Sequence, residues 1–175
     1  MLVREARAQD IPAITAIYAH HVLTGLATFE IEPPDEAEMH RRRADVLARG
    51  LPYMVADRDG TMLGYAYAAP YRARPAYRFT VEDSVYVERS QFGQGVGKAL
   101  LSVLVSACAQ AGCRQMIAVI GDSANAASIR LHERCGFARV GMLPSTGFKF
   151  GGWVDSVLMQ RAIGEGDSTL PGEDE

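Results

Sequence analysis

The stretch Val85-Tyr86-Val87-Glu88-Arg89-Ser90-Gln91-Phe92-Gly93-Gln94-Gly95-Val96-Gly97-Lys98-Ala99-Leu100-Leu101 constrains the fold most. An apolar, β-branched run stops, a loop with glycines at alternate positions follows, and a long apolar helical segment begins. Strand, glycine loop and helix start together suit an anionic phosphate chain. The first amides of a helix lack internal partners, and the helix dipole places partial positive charge there. Glycine lets a ligand approach the backbone closely. The nucleotide P-loop does not fit, because Ala99 follows Lys98 where a magnesium-binding hydroxyl would be needed. The dinucleotide fingerprint does not fit either. The glycines are spaced Gly-x-Gly-x-Gly and lie past the middle of the chain, not in its first strand-helix unit. Taken alone, residues Gly93, Gln94, Gly95, Val96, Gly97 and Lys98 are candidate phosphate ligands or a plain strand-helix turn.

The rest of the chain is read around this unit. Leu2 to Ala6 is a short strand, and Asp10 is placed to cap a helix carrying Ile11, Ile14, Ile17 and Tyr18 at helical spacing, to about Val22. Pro33-Pro34 breaks the chain, and Asp35 opens a second helix to about Arg49, with Arg41-Arg42-Arg43 on a solvated face. Tyr53–Ala56 and Met62–Ala69 form a hairpin across Asp59-Gly60. Tyr77 to Val87 reads as one long strand. Gly97–Ala111 is a helix, Met116–Ile120 a buried strand and Asn125–Cys135 a helix. Arg139–Met142 and Trp153–Met159 are closing strands joined by the glycine-rich 147–152 segment. The order β-α-α-β-β-β-α-β-α-β-β predicts an α/β fold of the α+β type, with a mixed sheet antiparallel at first and parallel around the glycine loop. Residues 1–163 form one domain, and 164–175 are expected to be a mobile tail.

Composition excludes several classes. The net charge of −3 offers no basic field for nucleic acid. No apolar stretch approaches the roughly 20 residues that span a bilayer, and the N-terminus lacks a signal-peptide core. Cys108, Cys113 and Cys135 have no metal spacing and read as reduced thiols, so a cytoplasmic, metal-free protein is expected.

The element order and the loop resemble the GCN5-related N-acetyltransferase (GNAT) superfamily. Its Gln/Arg-x-x-Gly-x-Gly/Ala loop holds the pyrophosphate of acetyl-CoA. Gly95 and Gly97 match the two glycines, and Phe92 departs from the leading Gln/Arg. The segment Asn125-Ala126-Ala127-Ser128-Ile129-Arg130-Leu131-His132-Glu133-Arg134-Cys135-Gly136-Phe137 resembles the superfamily's Asn-x-x-Ser…Gly-Phe helix, making Asn125 and Ser128 cofactor candidates. The same residues also suit a plain N-cap and an inert helix hydroxyl. Asn125, Ser128 and His132 share one helix face, and Ala127, Leu131 and Cys135 share another, expected to be the core face.

Thr28-Phe29-Glu30, Ala76-Tyr77, Thr80-Val81-Glu82-Asp83-Ser84-Val85-Tyr86-Val87, Ala118-Val119-Ile120, Leu131-His132-Glu133 and Gly147 to Asp155 resemble the phosphinothricin acetyltransferase family over nearly the whole chain. The resemblance implies a single-domain acyl-CoA N-acyltransferase fold. It also implies acetyl transfer from acetyl-CoA to the α-amine of a small glutamate- or methionine-like amino acid, and a homodimer. It assigns backbone contacts with the cofactor to Val85, Tyr86 and Val87, where the strand parts from its neighbour.

The chemistry names its own candidates. An ammonium substrate must lose a proton before attacking the thioester, and Glu82 is the carboxylate placed for it. His132 is a second titratable candidate, either catalytic or simply packed. Arg72 and Arg74 are guanidinium candidates for the substrate carboxylate. Phe29, Tyr77, Asp83 and Ser84 complete the expected substrate set. Strand alternation puts Thr80, Glu82, Ser84 and Tyr86 on one face and leaves Asp83 a misfit among Val81, Val85 and Val87. Either a β-bulge re-aims the side chains or Asp83 has a polar partner. Two rival functions remain: transfer to a protein N-terminus or polyamine, and an acyl-CoA-binding sensor without turnover.

Overall fold

The computed structural model of the chain describes residues 1–171. Seven strands, β1 (Leu2–Glu5), β2 (Tyr53–Arg58), β3 (Thr61–Pro70), β4 (Thr80–Val87), β5 (Gln115–Gly121), β6 (Ala138–Lys149) and β7 (Gly152–Ala162), form one sheet in the order β1-β2-β3-β4-β5-β7-β6. Four helices flank it: α1 (Ile11–Thr24), α2 (Glu36–Ala48), α3 (Val96–Gln110) and α4 (Ala126–Arg134). The element order and the mixed sheet are those expected. The pairings β1-β2, β2-β3 and β3-β4 are antiparallel, and β4-β5, which brackets the glycine loop and α3, is parallel.

Tyr18 of α1 meets Tyr86 edge-on, and His132 of α4 meets Asp83. Positions 83 and 86 of a strand point to opposite faces, so α1 with α2 covers one face of the sheet and α3 with α4 the other. Leu100, Leu101 and Leu104 of α3 are fully buried, with Met116 and Met159 of the sheet.

Several local expectations are corrected. The strand expected from Tyr77 begins at Thr80, because Pro75–Tyr77 forms a tight turn in which Tyr77 N–H donates to the Arg74 carbonyl. β6 is far longer than Arg139–Met142. Residues 147–149 belong to the strand, and only Phe150 and Gly151, both at positive φ, make the hairpin tip. Asp10 precedes α1 but does not cap it, since its carboxylate is taken by the Arg4 guanidinium and the Arg7 amide. Arg42 is not a solvated charge, because it binds Glu30 and Glu38. Within the segment expected to be a mobile tail, Glu165 and Thr169 accept from Arg114, and 172–175 lie outside the described residues.

Candidate active site

β4 holds β3 along its whole length, to the pair Val87–Gly64, but holds β5 only from Thr80 to Asp83. Beyond Asp83 the parallel strands part, while β5 continues beside β7 to the pair Gly121–Ser156. The parting leaves one backbone edge of Ser84–Val87 without a strand partner. It also opens a gap through which both sheet faces reach one space. A cavity of about 290 Å³ occupies it, lined by Phe29, Glu82, Asp83, Ser84, Val85 and Tyr86 together with residues of β5 and α4.

The phosphate-loop candidates follow the end of β4 and lie outside the cavity lining. Gly93, Gln94, Gly95 and Lys98 are exposed, whereas the Val96 side chain is buried and anchors the loop from below. Gly95 stands at φ 80° immediately before α3, and a Cβ there would meet nothing within 4 Å, so its space is open to a ligand. Gly97 differs, since a Cβ there would stand 3.1 Å from Leu131 Cδ2 of α4. Its smallness serves helix packing. Phe92 lies exposed at the loop's edge, its ring 6.2 Å from that of His21, whose Nε2 contacts the Val87 carbonyl at 2.9 Å. His21 therefore ties α1 to the end of β4.

The face of Asn125, Ser128 and His132 turns to the cavity, and Leu131 and Cys135 of the expected core face pack against the core, whereas Ala127 on that face is exposed. The Asn125 side chain caps the helix by accepting from Ser128 N–H at 3.2 Å. His132 is buried, with Nδ1 2.8 Å from the Ser128 carbonyl and Nε2 3.0 Å from Asp83 Oδ2. Asp83 thus has a polar partner, and β4 pairs with β3 without a bulge, which decides between the two alternatives for the misfit residue.

Glu82 is half-buried and faces the cavity from the opposite side of β4. Burial raises its pKa, the neighbouring Asp83 charge raises it further, and the Arg72 guanidinium works against both. A carboxylate tuned upward is a better proton acceptor near neutral pH. Arg72 itself is exposed and stacks 4.8 Å over the Tyr71 ring. Arg72, Arg74 and Tyr77 lie outside the cavity lining, on the turn before β4.

Phe29 is held over the cavity by its neighbours. Thr28 and Glu30 bond the Tyr18 hydroxyl at 2.9 and 2.8 Å, and Arg42 donates to Glu30 at 2.6 Å. Buried Lys149 of β6 donates to the carbonyls of Gly25 and Thr28, at 2.8 Å each. A Cβ at Gly147 would stand 2.7 Å from the Phe29 ring, so this β6 glycine makes room for it.

Sequence reasoning missed Tyr67 and Ser156, both in the lining. Ser156 had a signal of the kind that marked Asp83, a polar residue in an apolar strand. It is buried, and its hydroxyl is 3.0 Å from that of Thr146, in the irregular stretch of β6 between Leu143 and Gly147. Tyr67 had no such signal.

The profile of the Acetyltransferase (GNAT) family matches residues 14–137. A phosphinothricin N-acetyltransferase of Alcaligenes faecalis is 60% identical over 169 residues, covering 97% of this chain and 86% of that one. An L-methionine sulfoximine/L-methionine sulfone acetyltransferase of Salmonella typhimurium is 39% identical over 168 residues, covering 94% of this chain and 96% of its own. Among solved structures, a GNAT superfamily phosphinothricin acetyltransferase from Sinorhizobium meliloti, in complex with AcCoA, superposes with a TM-score of 0.95 at 50% identity, covering 98% of this chain and 93% of that one. The chain that carries this strand parting, glycine loop and capped α4 is thus similar to relatives over nearly its whole length, and it belongs to the GNAT acetyltransferase family.

Proposed function

We propose that the protein moves the acetyl group of acetyl-CoA directly to the α-amine of a small amino acid, with phosphinothricin, methionine sulfoximine and methionine sulfone as leading acceptors. The observation that carries this reading is the opening of one cavity to Glu82 and to the capped face of α4, at the point where β4 parts from β5. The relatives named above supply the acceptor class.

In this reading the loop from Gly93 to Lys98 takes the pyrophosphate on its backbone amides. The amides of Val85 and Val87, on the edge that β5 leaves, hold the acyl-bearing arm and the carbonyl oxygen as charge builds on it, while Tyr86 between them pairs with Tyr65 of β3. Asn125 and Ser128 flank the cofactor from α4. Glu82 accepts a proton from the substrate ammonium, directly or through water. The amine nitrogen then bonds to the thioester carbon, the carbon–sulfur bond breaks, and the nitrogen gives up a second proton. One proton ends on the CoA thiol and the other in solvent. Arg72 and Arg74 attract the α-carboxylate at the mouth, while Phe29, Tyr77, Asp83 and Ser84 shape the acceptor side. Direct transfer is supported by the cysteines, since Cys108, Cys113 and Cys135 are all buried and none lines the cavity.

The protein acts as a cytoplasmic homodimer in this reading. The edge strand β6 and its hairpin leave Val140, Met142, Leu143, Phe148, Phe150 and Trp153 exposed, an apolar surface suited to a second copy. The three free thiols suit a reducing compartment.

Thiol release with a panel of acceptors tests the function. Phosphinothricin and methionine sulfone should be good acceptors, and the decarboxylated amine, a polyamine and an N-terminal alanine peptide poor ones. Glu82→Gln should lower kcat by about 10²–10⁴-fold. Equal rates with methionine sulfone and its decarboxylated amine would move the polyamine or peptide reading ahead. No thiol release with any acceptor would favour the sensor.

A further inference from the structure

Two buried groups meet at Asp83 and His132. Their side chains are only 1% and 5% exposed. His132 Nε2 is 3.0 Å from Asp83 Oδ2, and Nδ1 is 2.8 Å from the Ser128 carbonyl oxygen, with the Ser128 hydroxyl farther off at 3.5 Å. A carbonyl oxygen and an ionised carboxylate only accept. A neutral imidazole has one N–H and one lone pair, so it would set a lone pair against one of these oxygens. Both contacts are satisfied when both ring nitrogens carry protons or when the carboxyl does. Imidazole is the stronger base of the two, which leaves the proton on the ring. Among the described residues Asp83 Oδ1 has no hydrogen-bond partner, and the carboxylate bonds to His132 alone.

We infer that Asp83 is a positioning residue that holds His132 as an imidazolium in the cavity wall, where it serves as a fixed positive charge and not as a base. The consequence for catalysis rests on the acetyl-transfer reading. Negative charge grows on the thioester oxygen and then on the departing sulfur, and a cation already in place stabilises both without reorganisation. Proton acceptance then falls to Glu82. The other titratable groups of the lining, Tyr67 and Tyr86, stay neutral because burial raises their pKa.

The surroundings of the pair agree. Burial alone would lower the His132 pKa, but the hydrogen bond and charge of Asp83 and the Ser128 carbonyl outweigh it and leave it raised. The Phe137 ring meets the imidazole edge-on at 5.1 Å. On the α3 side the Cys108 thiol is pushed up by its bond with Cys113 and by burial, and the Cys135 thiol by burial, so both stay neutral. Arg161 of β7 is engaged by the Cys135 carbonyl, and Lys98 lies near Cys135. Glu82 faces the other side of β4.

Nitrogen chemical shifts of the histidine rings in ¹⁵N-labelled enzyme, recorded without substrate across neutral pH, test the inference. Both nitrogens of His132 should be protonated at neutral pH, and the ring should titrate above the ordinary histidine range. In Asp83→Asn the amide can donate to Nε2, so the ring should turn neutral and titrate below that range. There kcat should fall about 10–100-fold, less than the ~10²–10³ lost with a direct oxyanion donor, with the acetyl-CoA KM unchanged. A neutral His132 in the wild type at neutral pH overturns the inference even if the variant does not fold. So does a titration that Asp83→Asn fails to move. A neutral ring with wild-type kcat in that variant removes the electrostatic role. Absence of acetyl transfer by the wild type would count against the proposed function instead, because ring protonation is read without substrate.

Discussion

Gly121 lies where the end of β5 passes under the 25–30 loop, and its replacement by alanine tests how the acceptor side of the cavity is held. A Cβ at this position would stand 2.2 Å from the Leu26 carbonyl oxygen, against the 3.0 Å that real contacts respect, and 3.2 Å from the Phe29 ring. The obstacle is backbone, so the loop must retreat by about 0.8 Å. It has little freedom to do so, because Lys149 grips the Gly25 and Thr28 carbonyls while Tyr18 and Arg42 hold Thr28 and Glu30. Overpacking of this kind costs about 1–3 kcal/mol. Displacement of catalytic geometry by ~1 Å can cost ~10²-fold in rate. Gly121→Ala should therefore lower the urea midpoint and reduce acceptor kcat/KM by one to two orders of magnitude, with a smaller effect on the acetyl-CoA KM. Steady-state kinetics with each substrate varied, beside equilibrium unfolding, provide the measurement. A variant with wild-type midpoint and wild-type acceptor kcat/KM would refute the reasoning, because the loop would then be free to move away.

The two loop glycines should separate in effect. Gly95→Ala adds a Cβ in open space at φ 80°, costing about 1–2 kcal/mol in the left-handed region and raising the acetyl-CoA KM, whereas Gly97→Val presses on Leu131 and should lower the melting temperature. An unchanged melting temperature for Gly97→Val would rule out the packing role. Because the Glu82 pKa is raised and only its ionised form accepts a proton, kcat/KM should rise with pH through a value above the ordinary glutamate range. That limb should vanish in Glu82→Gln, and its persistence would assign it to another group. Trp153, 70% exposed on the hairpin, should matter for assembly, so Trp153→Lys should shift light-scattering mass from dimer to monomer. A monomeric wild type would end the dimer proposal.

Much of this architecture is local in origin. The strand-loop-helix unit, the helix opened by Asp35 and the hairpin across Asp59-Gly60 are written in hydrophobic period, capping residues and turn residues. They appear where those signals place them. The boundary errors share a cause. Apolar and aromatic residues continue through Pro75–Tyr77 although the backbone turns there, and β6 pairs through an irregular stretch with a proline in it, because β7 supplies its partner at a distance. Asp83 could be recognised as out of pattern from its neighbours, yet His132 lies 49 residues away in the chain. Likewise Lys149 reaches Gly25 and Thr28 across more than a hundred residues. The sequence by itself determined the order of elements, the glycine loop and the types of residue near it, since these follow from interactions within a few positions. Only the tertiary structure decided what holds Phe29 and what Asp83 binds. Those outcomes depend on side chains from separate elements meeting where β4 and β5 part, and no local pattern encodes that meeting.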